Sequence, residues 1–354
     1  MQIEIRFCPT PLTVPYVLAF GAVTQFDTFI VKATSADGTG WGEITPLPGY
    51  SDESPDTVRR ALAALSRESS GAGGSITAAG LVAEWGREAA MTVSGILTAR
   101  DLLRIGADHV LGMDFDPIPV AALCGGTDPD EAARNATDLC NRGFQTLKVK
   151  IGGKPPADDA ARIKAIAAAL TPGVRLRLDA NQQMSFEDAV AFAPALEGLP
   201  IELWEQPFKP DQDNRMADLA QQSRAPLMLD ESIWTRSDID RAADLGVAYV
   251  KLKLCKHAGL NDSIDLLQHA KSRDLKVIFG NGVQGFLGNR IECCAYRKAG
   301  LTTAIESNGF KKIADPPARG GLELSTGHVR PTGPTDLSEN FAEATPVVRF
   351  ELAD

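Results

Sequence analysis

From about Ile118 onward the chain alternates short β-rich runs with helical stretches, and eight such runs can be counted. They lie near residues 118–123, 146–150, 174–179, 201–205, 226–230, 248–253, 276–280 and 303–307. Their last residues fall about 25 apart, the length of one βα unit in a barrel of roughly 200 residues. Helices are expected between them, over 129–141, 157–170, 186–196, 211–222, 237–245, 261–273 and 287–298. No glycine-rich dinucleotide turn follows the first run. The repeated βα order therefore predicts an α/β fold with a closed (β/α)8 barrel, rather than an open doubly wound sheet.

The first ~110 residues have a different texture. FIVKATSADGTGWGEITP alternates apolar and polar residues on either side of Asp37-Gly38, which predicts an antiparallel hairpin. Residues 54–65 carry a Ser cap, a Pro at the first helical position and an apolar face of helical period, so a helix follows. SRESSGAGGS, 66–75, is expected to be a surface loop. The segment after Asp315 contains no ninth unit and is expected to return to the N-terminal domain.

Charge narrows the function classes. The 354 residues hold 36 Lys+Arg against 46 Asp+Glu, a net −10, which argues against nucleic acid or an anionic membrane as the main partner. No apolar run approaches the ~20 residues of a bilayer span, and the N-terminus lacks a signal-peptide layout, so a cytoplasmic protein is expected. Six cysteines without a CxxC and four histidines in no metal-binding spacing argue against a zinc site and for reduced thiols, with Cys293 and Cys294 packing a helix.

In a barrel the active site lies at the C-terminal strand ends. Run three ends RLRLDAN, run four ELWEQP and run five LMLDES, so Asp179, Glu205 and Asp230 each close a strand, one unit apart. Singly, each is an ordinary solvated strand end. Three in register would repel strongly without a cation between them, and oxygen donors without His or Cys select Mg²⁺ or a close relative such as Mn²⁺. A structural Ca²⁺ site would account for the acids but not for their neighbours. Run two ends with Lys148 and Lys150, and run six with Lys251 and Lys253, each pair two apart and so on one face. A lysine beside another ammonium and a divalent cation has its neutral form favoured, which suits a general base.

With these residues the chain resembles the enolase superfamily, and within it the muconate lactonizing enzyme subgroup (mandelate racemase/muconate lactonizing enzyme-like proteins). The resemblance rests on DGTGWGE, PLPGYSDES, the KxK of Lys148 and Lys150, DAN at 179–181, EQP at 205–207, DES at 230–232 and KLCKHAG from Lys253. It implies a (β/α)7β TIM-like barrel over residues 113–315, under an α+β capping domain over 1–112 that the segment 316–354 completes. It also implies Mg²⁺ on Asp179, Glu205 and Asp230, Lys150 and Lys253 as the acid/base pair, and a homo-oligomer. Lys148 joins the catalytic group. Asn181, Glu231, Lys251, Gln284, Glu306 and Asn308 are candidates to bind substrate or support the site. Two lid loops, near 15–26 and 45–53, bring Tyr16, Leu18, Phe20, Val23, Phe26 and Tyr50, whose apolar character suggests an apolar or uncharged distal part of the substrate.

The resemblance implies proton abstraction next to a carboxylate, through a metal-stabilised enediolate. The expected function is a Mg-dependent racemase or epimerase of an amino-acid derivative acting on a small carboxylate. A cycloisomerase or syn-dehydratase using the same lysines is the alternative. The departures are Ala258-Gly259 in place of GG after run six, Gln284 where relatives commonly have an acid, and Glu306-Ser307-Asn308 where dipeptide epimerases have DxD. His257 lacks the pattern of a His–Asp dyad, which sets the mandelate racemase subgroup itself aside. A Schiff-base aldolase with Lys150 or Lys253 as nucleophile, and a metal-stabilised binding protein without turnover, are the readings from other classes.

Overall fold

The computed structural model describes residues 1–18, 21–48, 53–70, 76–280, 282–314 and 321–353. The chain opens with antiparallel strands β1 (Gln2–Leu18), β2 (Gly21–Ser35) and β3 (Gly38–Ile44). Ser35 pairs with Gly38, which puts the turn where the Asp37-Gly38 signal predicts. Helix α1 (Pro55–Ser70) starts at the Ser54 cap, whose Oγ accepts from Thr57 N at 3.1 Å. It outruns the expected boundary: residues 66–70, read as loop, are helical. No Gly or Pro stops the chain before Gly71, and Arg67 Nε donates back to Ala63 O at 3.2 Å. The rest of that expected loop, 71–75, lies outside the described residues. Strand β4 (Ile76–Thr77) and helices α2 (Ala78–Trp85), α3 (Ala90–Ile105) and α4 (Ala107–Leu111) follow.

The glycines of DGTGWGE have a packing cause. A Cβ on Gly40 would lie 2.0 Å from Ala99 O, and one on Gly42 1.9 Å from Gly95 O. Bare backbone at these alternate positions lets α3 lie directly on the sheet, where Val31, Ile44, Ile96 and Leu103 join one apolar cluster.

Next come β5 (Ile118–Pro119), β6 (Ala121–Leu123), α5 (Pro129–Asn141), β7 (Thr146–Lys150), α6 (Pro156–Ala169), β8 (Arg175–Asp179) and α7 (Phe186–Phe192). Then follow β9 (Ile201–Glu205), α8 (Arg215–Gln222), β10 (Leu227–Leu229), α9 (Arg236–Asp244), β11 (Tyr249–Leu252), α10 (Gly259–Ser272), β12 (Lys276–Phe279) and α11 (Phe286–Lys298). Strands β6 to β12 form a parallel sheet in sequential order. It curls until both edges meet one segment: Ile305 N donates to Pro119 O at 2.8 Å, Ala121 N to Ile305 O at 2.9 Å, and Glu306 N to Phe279 O at 3.1 Å.

Two expected strands differ. The eighth run is a single bridge, Val120 to Ile305, rather than a strand. Its flanking side chains are drawn elsewhere: Thr303 Oγ1 donates to Val277 O at 2.9 Å and the Ser307 hydroxyl donates to Glu292. The first run is split because Pro119 has no N–H for the ladder, so β5 pairs with a later strand instead.

Past residue 320, β13 (Leu322–Ser325) and β14 (His328–Pro331) form a small antiparallel sheet with β5; α12 (Ser338–Glu343) and β15 (Thr345–Ala353) end the chain. β15 enters between β1 and β4, which completes a sheet ordered β3-β2-β1-β15-β4. The tail thus returns to the N-terminal sheet. Among the described residues no helix is long and apolar enough to cross a membrane. All six cysteines are free, with Cys293 and Cys294 buried in α11.

Candidate active site

Parallel register places the charged strand ends in one row. Lys150 lies opposite Asp179, and Asp179 opposite Glu205. Met228 lies opposite Glu205, so Asp230, two residues on, points to the same face. Below this row the interior is filled by Leu203, Met228, Tyr249 and Ile278, so the charges rest on an apolar floor.

The carboxylates do not converge on one bare point, as their spacing suggests; ammonium groups bridge them, and among the described residues no three acids, His or Cys stand in metal-holding geometry. Lys148 Nζ is 2.8 Å from Asp179, 2.6 Å from Glu205 and 3.0 Å from Glu306. Lys251 Nζ is 2.7 Å from both Glu205 and Glu306. Lys150 Nζ is 2.7 Å from Asp179, and Lys253 Nζ 2.8 Å from Asp230. The outer lysines thus pair with the outer acids, and the inner lysines share Glu205. Lys150 is half-exposed at 52%, against 12% for Lys253.

Burial pushes the Asp179 carboxyl up, but the Lys148 and Lys150 ammoniums overcome it and hold it at about 2. Asp230 is likewise buried, and Lys253, Lys251 and Lys256 hold it well below the usual range. Glu205 goes the other way, to about 7, through burial and the negative charge of Asp179. Among the described residues, two buried oxygens of this region, Asp230 Oδ1 and Glu231 Oε2, have no hydrogen-bond partner, though Lys256 Nζ stands 3.8 Å from the first.

A buried network braces the row. Gln206 Oε1 accepts from Asp230 N at 2.8 Å, while its Nε2 donates to Ser232 Oγ at 2.8 Å and to Phe208 O at 2.9 Å. Ser232 Oγ donates in turn to Asp213, which Arg241 holds at 2.9 Å. Gln206, Asn181 and Gln182 take positive φ of 36°, 41° and 67°, so backbone strain sits immediately after two of the strand-end acids. Asn181 accepts from Lys150 and donates to Glu231 Oε1 at 3.2 Å.

The other expected site residues fall as follows. Glu306 is buried: one oxygen accepts from Arg177 at 3.1 Å, the other from Lys148 and Lys251, so its charge is engaged inside the sheet. Gln284 is buried at the junction with β3 and not in this row; its Nε2 donates to Glu43 O at 3.5 Å. Asn308 is half-buried after Glu306. Tyr16 is half-buried and packs edge-on against Phe26, with ring centroids 6.1 Å apart. Phe20 and Tyr50 lie outside the described residues. Sequence reasoning passed over Arg177, Gln206 and Lys256, whose Nζ donates to Asp230 O at 2.8 Å. Arg177 carried a signal, since it stands two before Asp179 and so on the same face.

Comparison with known proteins places this arrangement. The family model described as Enolase C-terminal domain-like matches residues 131–334, and that of the MenC N-terminal domain matches residues 7–90. The chain is 30% identical over 337 residues to the aromatic dipeptide epimerase of Herpetosiphon aurantiacus, covering 90% of this chain and 92% of that protein. It is 28% identical over 304 residues to the L-Ala-D/L-Glu epimerase of Bacillus subtilis, 81% of this chain and 82% of that protein. In fold it is similar to the dipeptide epimerase from Cytophaga hutchinsonii complexed with Mg and D-Ala-L-Val, with a TM-score of 0.80, 23% identity and 99% of each chain covered.

Proposed function

The chain belongs to the enolase superfamily as an isomerase or lyase, and from that membership we propose that it moves the α-proton of a small carboxylate substrate, racemising or epimerising an amino-acid derivative. The observation that carries this reading is the placement of Lys150 and Lys253 at opposite ends of the carboxylate row, each beside an outer acid. One neutral lysine takes the proton from one face of the α-carbon, leaving the electron pair on the substrate as an enediolate. The opposite ammonium then gives a proton to the other face, which inverts the centre.

The curled sheet is read as a (β/α)7β barrel over 113–315, capped by 1–112 with 316–354. The donor set fits a hard divalent cation: three carboxylates, one of them with a buried oxygen, Asp230 Oδ1, that accepts no hydrogen bond among the described residues. Asp179, Glu205 and Asp230 would hold Mg²⁺, or Mn²⁺. When bound, the ion supplies positive charge for a carboxylate that takes up a second negative one. Lys148 and Lys251 hold Glu205 from both sides and fix its orientation, while Gln206 fixes the Asp230 backbone.

The unequal exposure of the two lysines favours one second reading, in which only Lys150 acts as base and Lys253 binds charge, giving a cycloisomerase or syn-dehydratase. The test is α-proton exchange in D₂O with Mg²⁺, followed by mass spectrometry over N-acylamino acids, dipeptides, proline derivatives and hydroxy acids. Two-base transfer requires exchange with inversion, reduced about 10³-fold or more in both Lys150→Ala and Lys253→Ala. Product loss of water or ring closure, with Lys253→Ala retaining exchange, selects the second reading. Exchange that survives both substitutions refutes the assignment of the lysines.

A further inference from the structure

Between α2 and α3 the chain turns tightly over residues 86–89, and the exposed Arg87 of that turn reaches Trp234, in the loop between β10 and α9. The guanidinium carbon stands 3.7 Å from the centroid of the indole, the separation of two groups in stacking contact. Glu88, next to it, is taken by Arg60 at 3.4 Å, and among the described residues no carboxylate pairs with Arg87. The ring is its partner.

The same indole carries a second cation, Lys256, whose Nζ is 4.6 Å from the centroid. Lys256 donates to Asp230 O at 2.8 Å and stands 3.8 Å from Asp230 Oδ1. Trp234 Nε1 donates to Glu231 O at 2.8 Å. One side chain thus secures two consecutive carbonyls after β10, that of Glu231 directly and that of Asp230 through the ammonium lying on its face. The turn that supplies Arg87 is itself fixed. Helix α3 begins at its end and lies on the N-terminal sheet, and Ser94 Oγ donates to Leu254 O at 2.6 Å, one residue beyond Lys253. Further along α3, Asp101 accepts from Asn261 N at 2.9 Å.

We infer that Trp234 is a positioning residue for Asp230 and that Arg87 is the brace that holds Trp234. A surface arginine outside the strand-end row then sets how tightly that row takes a divalent cation. This role rests on the reading of Asp230 as a ligand for the cation. The groups that orient a ligand govern affinity because a loosened carboxylate must be ordered again when the ion arrives. The sign of the effect separates bracing from charge. Arg87 is itself a cation, so on charge alone its removal would favour a divalent ion or leave it unaffected. Loss of a brace does the opposite.

The experiment titrates the metal-free full chain with Mn²⁺ and reads the free ion by electron paramagnetic resonance, with no substrate present. Arg87→Ala is expected to raise the Mn²⁺ Kd about threefold or more, and Trp234→Leu about tenfold or more. Trp234→Phe keeps an aromatic face but loses the Nε1 donor, and its Kd should fall between those of the wild type and Trp234→Leu. In the Trp234→Leu background, adding Arg87→Ala should change Kd by less than about twofold, because the brace has nothing left to hold. An Arg87→Ala Kd that is tighter than wild type or raised less than about threefold overturns the brace, as do losses that multiply in the double variant. Either result leaves the metal assignment standing. A wild type that takes no Mn²⁺, or an Asp230→Asn variant that takes it as tightly as wild type, overturns the ligand reading and the brace together.

Discussion

Among the deeply buried carboxylates of this molecule, six make two groups with opposite partners. Around α3 and α11 the donors are neutral. Glu43 accepts from Gly285 N, from Gly288 N at 2.9 Å and from Thr45 Oγ1 at 2.8 Å; Glu53 from Met91 N at 2.7 Å and Thr92 N at 3.2 Å; Glu292 from Ser307 and from Asn289 at 3.2 Å. At the strand ends, Asp179, Glu205 and Asp230 face ammoniums. Burial raises Glu43, and carries Glu53 and Glu292 to about 7, because peptide and hydroxyl dipoles only partly offset desolvation. Lysines hold Asp179 at about 2 in an equally buried place. Neutral donors are enough to join α11 to β3. Of these six, only the three in the row assigned to the chemistry face full positive charges.

The contrast predicts that damage to the two groups separates into lost activity and lost stability. Glu205→Gln, in the charged row, should cut exchange about 10³-fold or more, several kcal/mol of charge stabilisation. Its unfolding free energy should change by less than about 2 kcal/mol, because Lys148 keeps Asp179 and Glu306, and Lys251 keeps Glu306. Urea unfolding monitored beside exchange checks this; a variant that merely unfolds would erase the distinction. Glu43→Ala should do the reverse, losing about 2–4 kcal/mol of stability by stranding three donors, with Glu43→Gln recovering part of it. An unmoved urea midpoint would show that the junction is not held there.

The smallest effect is in pH dependence. A folded pKa of about 7, against an ordinary value near 4.5, means that the folded state binds the Glu292 proton more tightly than the unfolded chain does. That contribution is complete below about pH 4.5 and fades as pH rises through about 7. Wild-type stability should therefore slope downward between pH 5 and 8, and Glu292→Gln should flatten the slope by about 1–2 kcal/mol across that window. Glu53 and Glu205 retain their own shares, so the slope should not vanish. An unchanged slope would show that the Glu292 carboxyl does not titrate in that window.

What could be read from the residues is uneven for physical reasons. Strand ends such as RLRLD and LML followed by Asp230 repeat at a fixed interval, and parallel register then puts Asp179 opposite Glu205 with no further information. Helix starts were legible because caps are local: Asp128 before Pro129, and Thr235 with Asp238, satisfy their own backbone donors. That the sheet closes at Ile305 through a single bridge rather than a strand was not, because it depends on partners more than 180 residues earlier. The same holds for Glu43 with Gly285 and for Leu12 with Ile313.

The insertion of β15 between β1 and β4 bears on synthesis. Strands β1, β2 and β3 leave the ribosome early, yet their sheet is incomplete until residues 345–353 follow. Residues 118–306 can pair strand by strand as they emerge, while the N-terminal hairpins wait with an unpaired edge exposed. The sheet that opens the chain is therefore the last to be completed, and a chain truncated before residue 345 would lack the strand that joins β1 to β4.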